Sequence, residues 1–340
     1  MRRYGYLIIA VSMFGLLGSG TVMAQENKTG LTGANFLKIG VGARQVGLGS
    51  AATTISDDPH MMFWNPAGIV NMASDGGKTQ VAMTHNQWLL EMQHNAFAFT
   101  RDLGSIGTLG IGVVHIGLGD IVADRDVAPT PALANQQADL ATGATFNFYD
   151  LAVNVTLAHQ FTERLSLGAS VKFISEKIDD LTANAIAGDF GVIYDTGWQG
   201  LRLGARMSNL GSDLSFYDDA GTEPVPIPLI FSFGASFDIA RQADSRLVAL
   251  LDANKRQDSK QLYFGGMEWR LMEQFSLRGG YKFGFSNDKN KAGINSTDEG
   301  LSFGGGVNVP FGNARVQLDY AFTQFNLLDD THRFSFSISF

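Results

Sequence analysis

The chain has 340 residues with 25 basic and 33 acidic side chains, a formal net charge of −8, no cysteine, and 40 glycines beside 25 phenylalanines. The lack of cysteine excludes disulfides, thiolate metal sites and thiol catalysis, and the negative charge argues against nucleic acid as a partner. After the first 24 residues no apolar run is long enough for a membrane-spanning helix, which leaves a closed β-barrel or a soluble β-sandwich as the fold of an exported chain.

Residues 1–24 are typical of a secretory signal peptide. Arg2 and Arg3 supply its positive region, residues 7–17 its apolar core, and Ala24 ends a small-residue cleavage site. The apolar core is too short to favour the alternative, a retained membrane anchor. Cleavage removes two arginines, so the formal net charge goes from −8 to −10. We expect the mature chain to consist of a plug over residues 25–78 and a barrel over residues 79–340.

The stretch 40–72 has a pattern unlike the rest of the chain. Its first half is rich in glycine and alanine, which suits a backbone that lies close against another wall. Asp58 directly precedes Pro59, and an acidic cap followed by proline predicts the start of a short helix. That helix should end at Asn65, because a following Pro66 disfavours the helical conformation there. We therefore predict a plug that contains short helices.

From residue 79 onward, apolar and polar residues alternate in one stretch after another. Leu203 and Ala205, for example, alternate with Arg202, Gly204 and Arg206, which is the period of a strand with one apolar face. Alternation by itself fits both a membrane barrel and a soluble sandwich. To within ~2–4 residues, the fourteen predicted strands are 79–87, 91–101, 105–116, 143–159, 164–175, 184–195, 200–209, 229–240, 245–254, 259–269, 274–284, 299–308, 313–323 and 331–340.

The lengths of the connections separate these two alternatives. Short connections such as 101–104 and 161–163 alternate with a second set that includes the long stretches 117–142, 210–228 and 285–298. Short turns at one end, long loops at the other and an even number of strands are typical of outer-membrane barrels. The predicted fold class is therefore all-β, a fourteen-stranded antiparallel transmembrane β-barrel.

Aromatic residues also favour a barrel in a membrane. Phe161, Trp198 and Trp269 lie at the short-turn ends, where an aromatic belt meets the lipid headgroups, and Trp88 is a candidate for the opposite belt. The last strand alternates and ends on Phe340, which resembles the terminal signal read by the barrel-assembly machinery. We expect outer-membrane lipid as a partner, and that machinery as a partner during biogenesis.

Short motifs of the predicted plug occur in the order of a known family. Their residues are Gly42, Arg44, Gly47, Gly49, Asp57, Asp58, Asn65, Pro66 and Gly68. They resemble the amino-terminal signature of the PorV/PorQ family, within the FadL-like superfamily of outer-membrane barrels. The resemblance implies a FadL-like barrel with the amino-terminal segment inside it. It also implies a part in type IX secretion, in which PorV-like barrels bind cargo proteins and pass them to surface attachment.

A barrel of this size encloses more space than its own side chains fill, so its lumen is either a channel or occupied by a plug. The charged residues predicted to face the lumen are Arg164, Lys172, Arg202, Arg206, Arg278, Lys282, Arg315 and Asp319. They favour pairing with one another and with Asp57 and Asp58 to seat the plug. A selective path for an anionic or amphipathic solute is the alternative.

Two further stretches are candidate binding regions. Met61, Met62, Phe63 and Trp64 form a possible pocket for a lipid-like ligand, since methionine and aromatic side chains adapt to such ligands; packing within the plug is the alternative. A possible partner loop on the predicted outer face contains Phe216, Tyr217, Pro224, Pro226 and Pro228. Its prolines hold a stiff extended segment, which could equally be a rigid corner before the next strand.

Catalysis has little support in the sequence. His85, His94, His115, His159 and His332 lie on different predicted strands or loops, without a recognised catalytic or metal-binding spacing. We expect a non-enzyme with no catalytic residues, no cofactor and no metal site. The predicted function is that of a PorV/PorQ-type component of type IX-like protein secretion or surface attachment, with secreted cargo or other secretion components as partners. FadL-like uptake of hydrophobic small molecules, with a lipid-like ligand, is the alternative.

Overall fold

The structure of the chain is a computed structural model, and it describes residues 31–70, 78–122, 145–179, 181–216, 223–286 and 293–340. The predicted signal peptide, with its cleavage site at Ala24, lies outside the described residues. So do Tyr217 of the predicted partner loop and most of the connection between residues 117 and 142.

Period-two alternation folds into a single closed sheet of fourteen antiparallel strands. The strands are β1 Thr79–Gln87, β2 Gln93–Asp102, β3 Thr108–Val122, β4 Thr145–Thr162, β5 Leu165–Ile178, β6 Leu181–Asp195, β7 Arg202–Gly211, β8 Ile230–Gln242, β9 Ser245–Arg256, β10 Leu262–Leu271, β11 Phe275–Ser286, β12 Gly293–Phe311, β13 Ala314–Phe325 and β14 Thr331–Ser339. The last strand pairs with the first from Gln80 opposite Ser339 to Gln87 opposite His332, so the sheet has no free edge. The predicted fourteen-stranded antiparallel barrel is confirmed.

The connections are unequal at the two ends of the barrel. One end carries the compact turns that join β2 to β3, β4 to β5, β6 to β7, β8 to β9, β10 to β11 and β12 to β13, and it also carries residue 340. The other end carries the remaining seven connections, among them the long ones after β3 and β7. Because outer-membrane barrels place long loops outside the cell, we call this second end the outer end.

The outward face of the strands is apolar. Phe161, Phe173, Phe190, Phe233 and Leu277 are among the many large apolar side chains that are exposed there. Water does not solvate so large an apolar belt without cost, whereas a bilayer covers it. Trp88 differs from the expected outer belt: it is half-buried, packs its ring edge-to-face on Phe325 with centroids 5.6 Å apart, and joins the apolar cluster inside the barrel.

Residues 31–70, which we call the luminal segment, lie inside the barrel. Their helices are α1 Ala43–Gly47 and three 3₁₀ turns, Asn35–Lys38, Pro59–Phe63 and Pro66–Ile69. Helix α1 contacts β11 to β14, Pro59–Phe63 contacts β1 to β3, and Pro66–Ile69 contacts β4 to β6. A segment that touches the wall on so many sides can only be within it. Two more 3₁₀ turns, Leu89–Glu91 and Gly104–Ile106, lie in strand connections.

Two short helices start at a proline that follows a capping residue: the first cap, at Asp58, is the predicted one, and the second is at Asn65, for which the sequence predicts only the end of the first helix. The Asp58 carboxylate accepts a hydrogen bond from the His60 backbone, and the Asn65 side chain accepts one from the Ala67 backbone, so each caps a turn that starts with proline. Among the residues that the structure describes, no helix combines the length and apolar character needed to cross a membrane.

Close approach between the luminal segment and the wall depends on glycine at inward positions. A Cβ on Gly280 of β11 would overlap the backbone of Leu48 and Gly49, whereas a Cβ on the next residue, Gly279, would point outward into open space. The glycine-rich stretch 40–54 therefore meets glycines on the wall, backbone against backbone.

The Gly280→Val variant tests this contact. Its side chain would collide with backbone that cannot move aside cheaply, so we expect it to lower the free energy of unfolding by ~3 kcal/mol or more. Gly279→Val, its matched control, should change the free energy by less than ~0.5 kcal/mol. Urea unfolding of the refolded barrel, followed by tryptophan fluorescence, measures both. Equal midpoints for the two variants would contradict the placement of Leu48 against β11.

Candidate functional site

Helix α1 places a buried arginine between an acidic residue of the wall and an acidic residue of the luminal segment. Arg44 donates from Nε to Glu268 Oε1 at 3.0 Å and from Nη2 to Oε2 at 3.3 Å, and its Nη1 lies 3.4 Å from Asp58 Oδ2. Both carboxylates and the arginine are buried. The two-pronged contact with Glu268 is the strong geometry for this pair, and it connects the luminal segment to β10.

Glu268 is shared by further cations of the wall. Arg278 of β11 donates from Nε to Glu268 Oε1 at 2.8 Å and from Nη1 to Asp319 of β13 at 2.5 Å. Arg270 donates from Nε to Glu268 Oε2 at 2.9 Å. The result is a network of alternating sign across three strands, which offsets the cost of burying each charge. We call Arg44, Asp58, Glu268, Arg278 and Asp319 the charge cluster.

A second chain of hydrogen bonds runs from the charge cluster to the seam of the barrel. Asp58 Oδ1 lies 2.9 Å from His60 Nδ1, and His60 Nε2 lies 2.9 Å from the Thr84 hydroxyl of β1. Thr84 is 2.8 Å from the Ser335 hydroxyl of β14, which accepts from the Ala43 backbone at 2.8 Å. The chain begins and ends on the luminal segment, so it fastens that segment to the β1–β14 pair.

The surroundings of Asp58 and Arg44 favour the charged form of both side chains. Burial raises the pKa of the Asp58 carboxyl, but the interactions with His60 and then with Arg44 outweigh it and hold the pKa well below its ordinary value. Burial lowers the pKa of Arg44, but Glu268 and Asp58 outweigh it and hold that pKa above its ordinary value. Asp58 and Arg44 are therefore ionised at neutral pH.

The opposite side of the luminal segment is held by single polar contacts. Asp252 of β9 accepts from the backbones of Ala52 and Thr53, each at 2.9 Å. Asn65 donates to the backbone carbonyl of Thr53 at 2.7 Å and to that of Val192 in β6 at 3.2 Å. Asn65 of the predicted plug motif thus joins two parts of the luminal segment to the wall.

The glycines of the predicted plug motif serve close approach and unusual backbone angles. Gly42 and Gly49 have positive φ angles of 87° and 64°, which residues other than glycine rarely adopt. A Cβ on Gly47 would lie 3.5 Å from the Gly304 backbone, and one on Gly68 would lie 2.5 Å from the Ile55 carbonyl oxygen. Asp57 also has a positive φ, of 67°.

Most of the charges predicted to face the lumen are bound there. Arg206 donates to the Trp64 carbonyl at 2.9 Å and stacks on its ring, and Arg202 donates to the Ser56 hydroxyl at 2.7 Å. Nearer the outer end, Lys172 lies 3.1 Å from Asp189. Lys172 also donates to Asn209 at 2.6 Å, and Lys282 pairs with Glu299. Arg315 lines a small cavity beside Asp58 and His60.

Arg164 differs from the expectation. It lies exposed in the turn between β4 and β5, where its Nη1 donates to the Thr196 carbonyl at 3.3 Å. The alternation that predicted an inward side chain continues only from Leu165, where β5 begins. Its position one residue before the strand places it at the rim.

The four residues of the predicted apolar pocket are mainly packing residues. Met61 and Met62 are fully buried, Trp64 donates from its indole to the Val41 carbonyl at 2.8 Å, and Phe63 is half-buried. The cavity that Phe63 and Trp64 help to line has a volume of only about 30 Å³. Phe63 nevertheless has a special position, because it packs against both apolar clusters of the lumen.

The predicted partner loop folds back over the outer end of the lumen. Leu214 and Val225 exchange two backbone hydrogen bonds of 2.8 Å, and the Pro226 carbonyl accepts from Gly33 of the luminal segment at 3.0 Å. The Pro228 carbonyl accepts from the Asn209 side chain at 3.0 Å. Phe216 packs against the apolar cluster that contains Phe36 and Ile116. Pro224 is exposed.

Sequence reasoning missed several residues of this arrangement. Glu268 lies directly opposite Arg278 in the register of β10 and β11, and it is the central carboxylate of the charge cluster. Its signal was an acidic residue at an inward position of an apolar strand. Thr84 and Ser335 gave no such signal, because single hydroxyls are ordinary at inward positions of a strand. His60 is a single histidine within the luminal segment and gave none either. Within the described ranges, no group of three or more His, Cys, Asp or Glu could hold a metal ion.

Solved structures with the same strand arrangement resemble this chain over nearly their whole length. The toluene transporter TbuX of Ralstonia pickettii is 13% identical at a TM-score of 0.56, with 88% of this chain and 98% of that chain covered. The chain has a FadL-type barrel fold. The toluene transporter TodX of Pseudomonas putida is 13% identical at a TM-score of 0.58, covering 88% and 97%. A FadL homologue of Pseudomonas aeruginosa is 12% identical at a TM-score of 0.52, also covering 88% and 97%.

At these identities the likeness establishes the fold and nothing finer. No family model matches the sequence, and no curated protein matches it. The comparisons therefore agree with the FadL-like barrel fold expected from the sequence and give no support to PorV/PorQ in particular.

Glu268→Gln tests the charge cluster. Removing one charge leaves Arg44 and Arg278 buried with too little negative charge, so we expect the free energy of unfolding to fall by ~3–5 kcal/mol. Glu273→Gln, an exposed residue in the next turn, is the control and should change it by less than ~0.5 kcal/mol. Urea midpoints of the folded barrel band on unheated gels measure both. A Glu268→Gln midpoint like that of the control would show that the cluster does not hold the segment.

The low pKa of Asp58 predicts how stability depends on pH. Because folding lowers this pKa, its contribution is complete above the ordinary aspartate pKa of ~3.9 and is lost as pH falls from there through the folded-state pKa. We expect the thermal unfolding midpoint to fall as pH decreases below ~4. Asp58→Asn should lower the midpoint at pH 7 and weaken this acid dependence. An unchanged acid dependence in the variant would assign it to other carboxylates.

Proposed function

We propose that this protein is an outer-membrane barrel that takes up small hydrophobic molecules. The observation that carries the proposal is an apolar interior that runs from the outer end of the lumen to the β2–β3 wall. The shared fold with the toluene transporters TbuX and TodX supports it.

The apolar interior consists of two clusters that meet at one ring. The outer cluster contains Phe36 and Ile116, with Leu37, Met92 and Trp88 packed against it. The inner cluster contains Leu48, Met61, Met62, Trp64 and Ile69. Since Phe63 packs against both, an apolar solute that enters from the outer end can remain in apolar surroundings as far as the middle of the barrel.

The inner end of this path reaches a wall without bulky side chains. A Cβ on Gly110 of β3 would lie 2.8 Å from Met62 Cε, and one on Gly112 would lie 2.7 Å from Phe63 Cζ. The β2–β3 pairing is continuous here, from Gln93 opposite Gly117 to Asp102 opposite Thr108. The path is therefore closed in this conformation, and passage needs a movement of Phe63 together with a local opening of the wall or of the luminal segment.

Uptake can proceed while the charge cluster stays intact. The cluster holds α1 against β10 to β13, whereas the 3₁₀ turn Pro59–Phe63 lies against β1 to β3. Asp58 and His60 fix the start of this turn, but its last two side chains, Met62 and Phe63, move at lower cost than a buried ion pair separates. We assign the movable part to Met62 and Phe63, and the fixed part to α1.

A role in protein secretion, as in the PorV/PorQ type, is the second candidate. Its supporting observation lies in the described part of the loop before β8. The Pro226 carbonyl is bonded to the luminal segment and the Pro228 carbonyl to β7, and cavities of only about 30 to 50 Å³ lie beside the luminal segment. In this role the lumen stays sealed and the loop binds a secreted protein.

Uptake of labelled toluene into cells that express the barrel tests the proposal. Phe63→Asp places a charge where the two clusters meet, and we expect uptake to fall at least tenfold, equivalent to ~1.4 kcal/mol. Phe161→Asp, at an exposed position near the end of β4, is the control and should retain uptake. Single-channel recordings check that neither variant has lost the seal of the lumen.

The same cells distinguish the two candidates. Uptake that is equal with and without the barrel would contradict the first candidate. Secreted proteins that copurify with wild type but not after replacement of Phe216 and Pro226 by Ser would then support the second.

A further inference from the structure

The outward face of the barrel has a large groove that crosses the seam between the first and last strands. It has a volume of about 700 Å³, far above the roughly 30 to 50 Å³ of the cavities beside the luminal segment. Its outward-facing lining is Met83, His85, Asn95, Phe97, Val113, His115, Gly305, Val307, Leu318, Tyr320, Phe334 and Phe336. These residues belong to six neighbouring strands, β12, β13, β14, β1, β2 and β3.

The strands that line the groove lie close to the luminal segment on their inner side. On these strands the inward side chains are small, with Ala82, Ala98 and Ala321 buried against the inner apolar cluster. They leave room for the luminal segment close to these strands: Ser335 accepts from the Ala43 backbone of helix α1, and the turn Pro59–Phe63 contacts β1 to β3.

Side chains along the groove change from polar to apolar between two rows of paired residues. On β13, β1, β2 and β3 the outward residues of the first row are Tyr320, His85, Asn95 and His115, and two residues farther from the outer end they are Leu318, Met83, Phe97 and Val113. On β14 the first row has Phe334, opposite His85 and Tyr320, and His332 lies two residues nearer the outer end. Two residues correspond to about 7 Å. The polar rim therefore follows one row on four strands and is displaced by one step on β14.

Contacts among the rim side chains fix their orientation. His85 Nδ1 lies 2.7 Å from Asn95 Oδ1, and His332 Nδ1 lies 2.8 Å from the Tyr320 hydroxyl. His115 stacks on Tyr149 at 6.3 Å between centroids. Asn95 Oδ1 only accepts, so the proton of its contact with His85 is on His85 Nδ1, and His85 Nε2 donates to a ligand only when the ring is doubly protonated. The Tyr320 hydroxyl can donate to His332 Nδ1, which leaves a proton on His332 Nε2 for a ligand. The rim side chains include no carboxylate that would repel an anion.

We propose that this groove binds one phosphate-bearing membrane lipid. Its acyl chains lie on the apolar floor, and its phosphate accepts hydrogen bonds from His332 and from the doubly protonated imidazole of His85 at the rim. Imidazoles suit an oxyanion, because a hydrogen bond to a charged acceptor is stronger than one to a neutral acceptor. The site lies outside the barrel wall and does not depend on the proposed uptake.

Native mass spectrometry of the intact barrel tests the proposal. The detergent-exchanged protein is titrated with phosphatidylglycerol, or with the diacylglycerol of the same chains, which lacks the phosphate. We expect wild type to bind one phosphatidylglycerol at least tenfold more tightly than the diacylglycerol. Heat-modifiable mobility on gels confirms that every variant has a folded barrel.

Three variants separate the floor from the rim. Gly305→Phe fills the groove from a position with room for a Cβ, and it should weaken binding of both lipids at least tenfold. Gly279→Phe, also outward and in open space but away from the groove, should bind both as wild type does. His85→Leu combined with His332→Leu should retain diacylglycerol and lose the preference for phosphatidylglycerol.

Two results would overturn the proposal. One is equal binding of phosphatidylglycerol to wild type and Gly305→Phe, which would place the lipid elsewhere. The other is an unchanged phosphate preference in the double histidine variant. A photo-reactive phenylalanine at Val113 in living cells adds a direct check: a lipid adduct is expected, and a polypeptide adduct would assign the groove to a protein partner instead.

Discussion

A buried guanidinium determines how this barrel is filled. Arg44 arrives on a five-residue helix in the middle of the lumen and meets Glu268 and Asp58. An unpaired charge in that position would cost several kcal/mol, so the helix can lie there only when both carboxylates are in place. The charges of the lumen thus serve first to fix the luminal segment, and Arg278 and Asp319 extend the same network along the wall.

The same helix imposes a constraint on the shape of the wall. Helix α1 can approach only where the strands present glycine, alanine or serine, as at Gly304, Ala321 and Ser335. Close-packed interiors leave little freedom at such contacts, so the small inward residues of these strands are part of what seats the luminal segment.

On the other side of the lumen the luminal segment is packed differently. The turn Pro59–Phe63 presents methionine and phenylalanine to β2 and β3, and Phe63 joins the two apolar clusters. One half of the segment is thus fixed by paired charge, while the other is packed by adaptable side chains. This division suits the proposed uptake, in which the barrel is sealed at rest and admits apolar molecules.

The sequence alone determined the number of strands, their faces and the unequal ends, because period-two alternation and turn lengths are local properties of the chain. It also determined the cap at Asp58, whose partner lies two residues away. Only the tertiary structure decided that Arg44 pairs with Glu268, 224 residues later, and that Arg164 lies at the rim. Contacts across a lumen and the curvature of a wall depend on the register of every strand between them, and register is a property of the closed sheet as a whole.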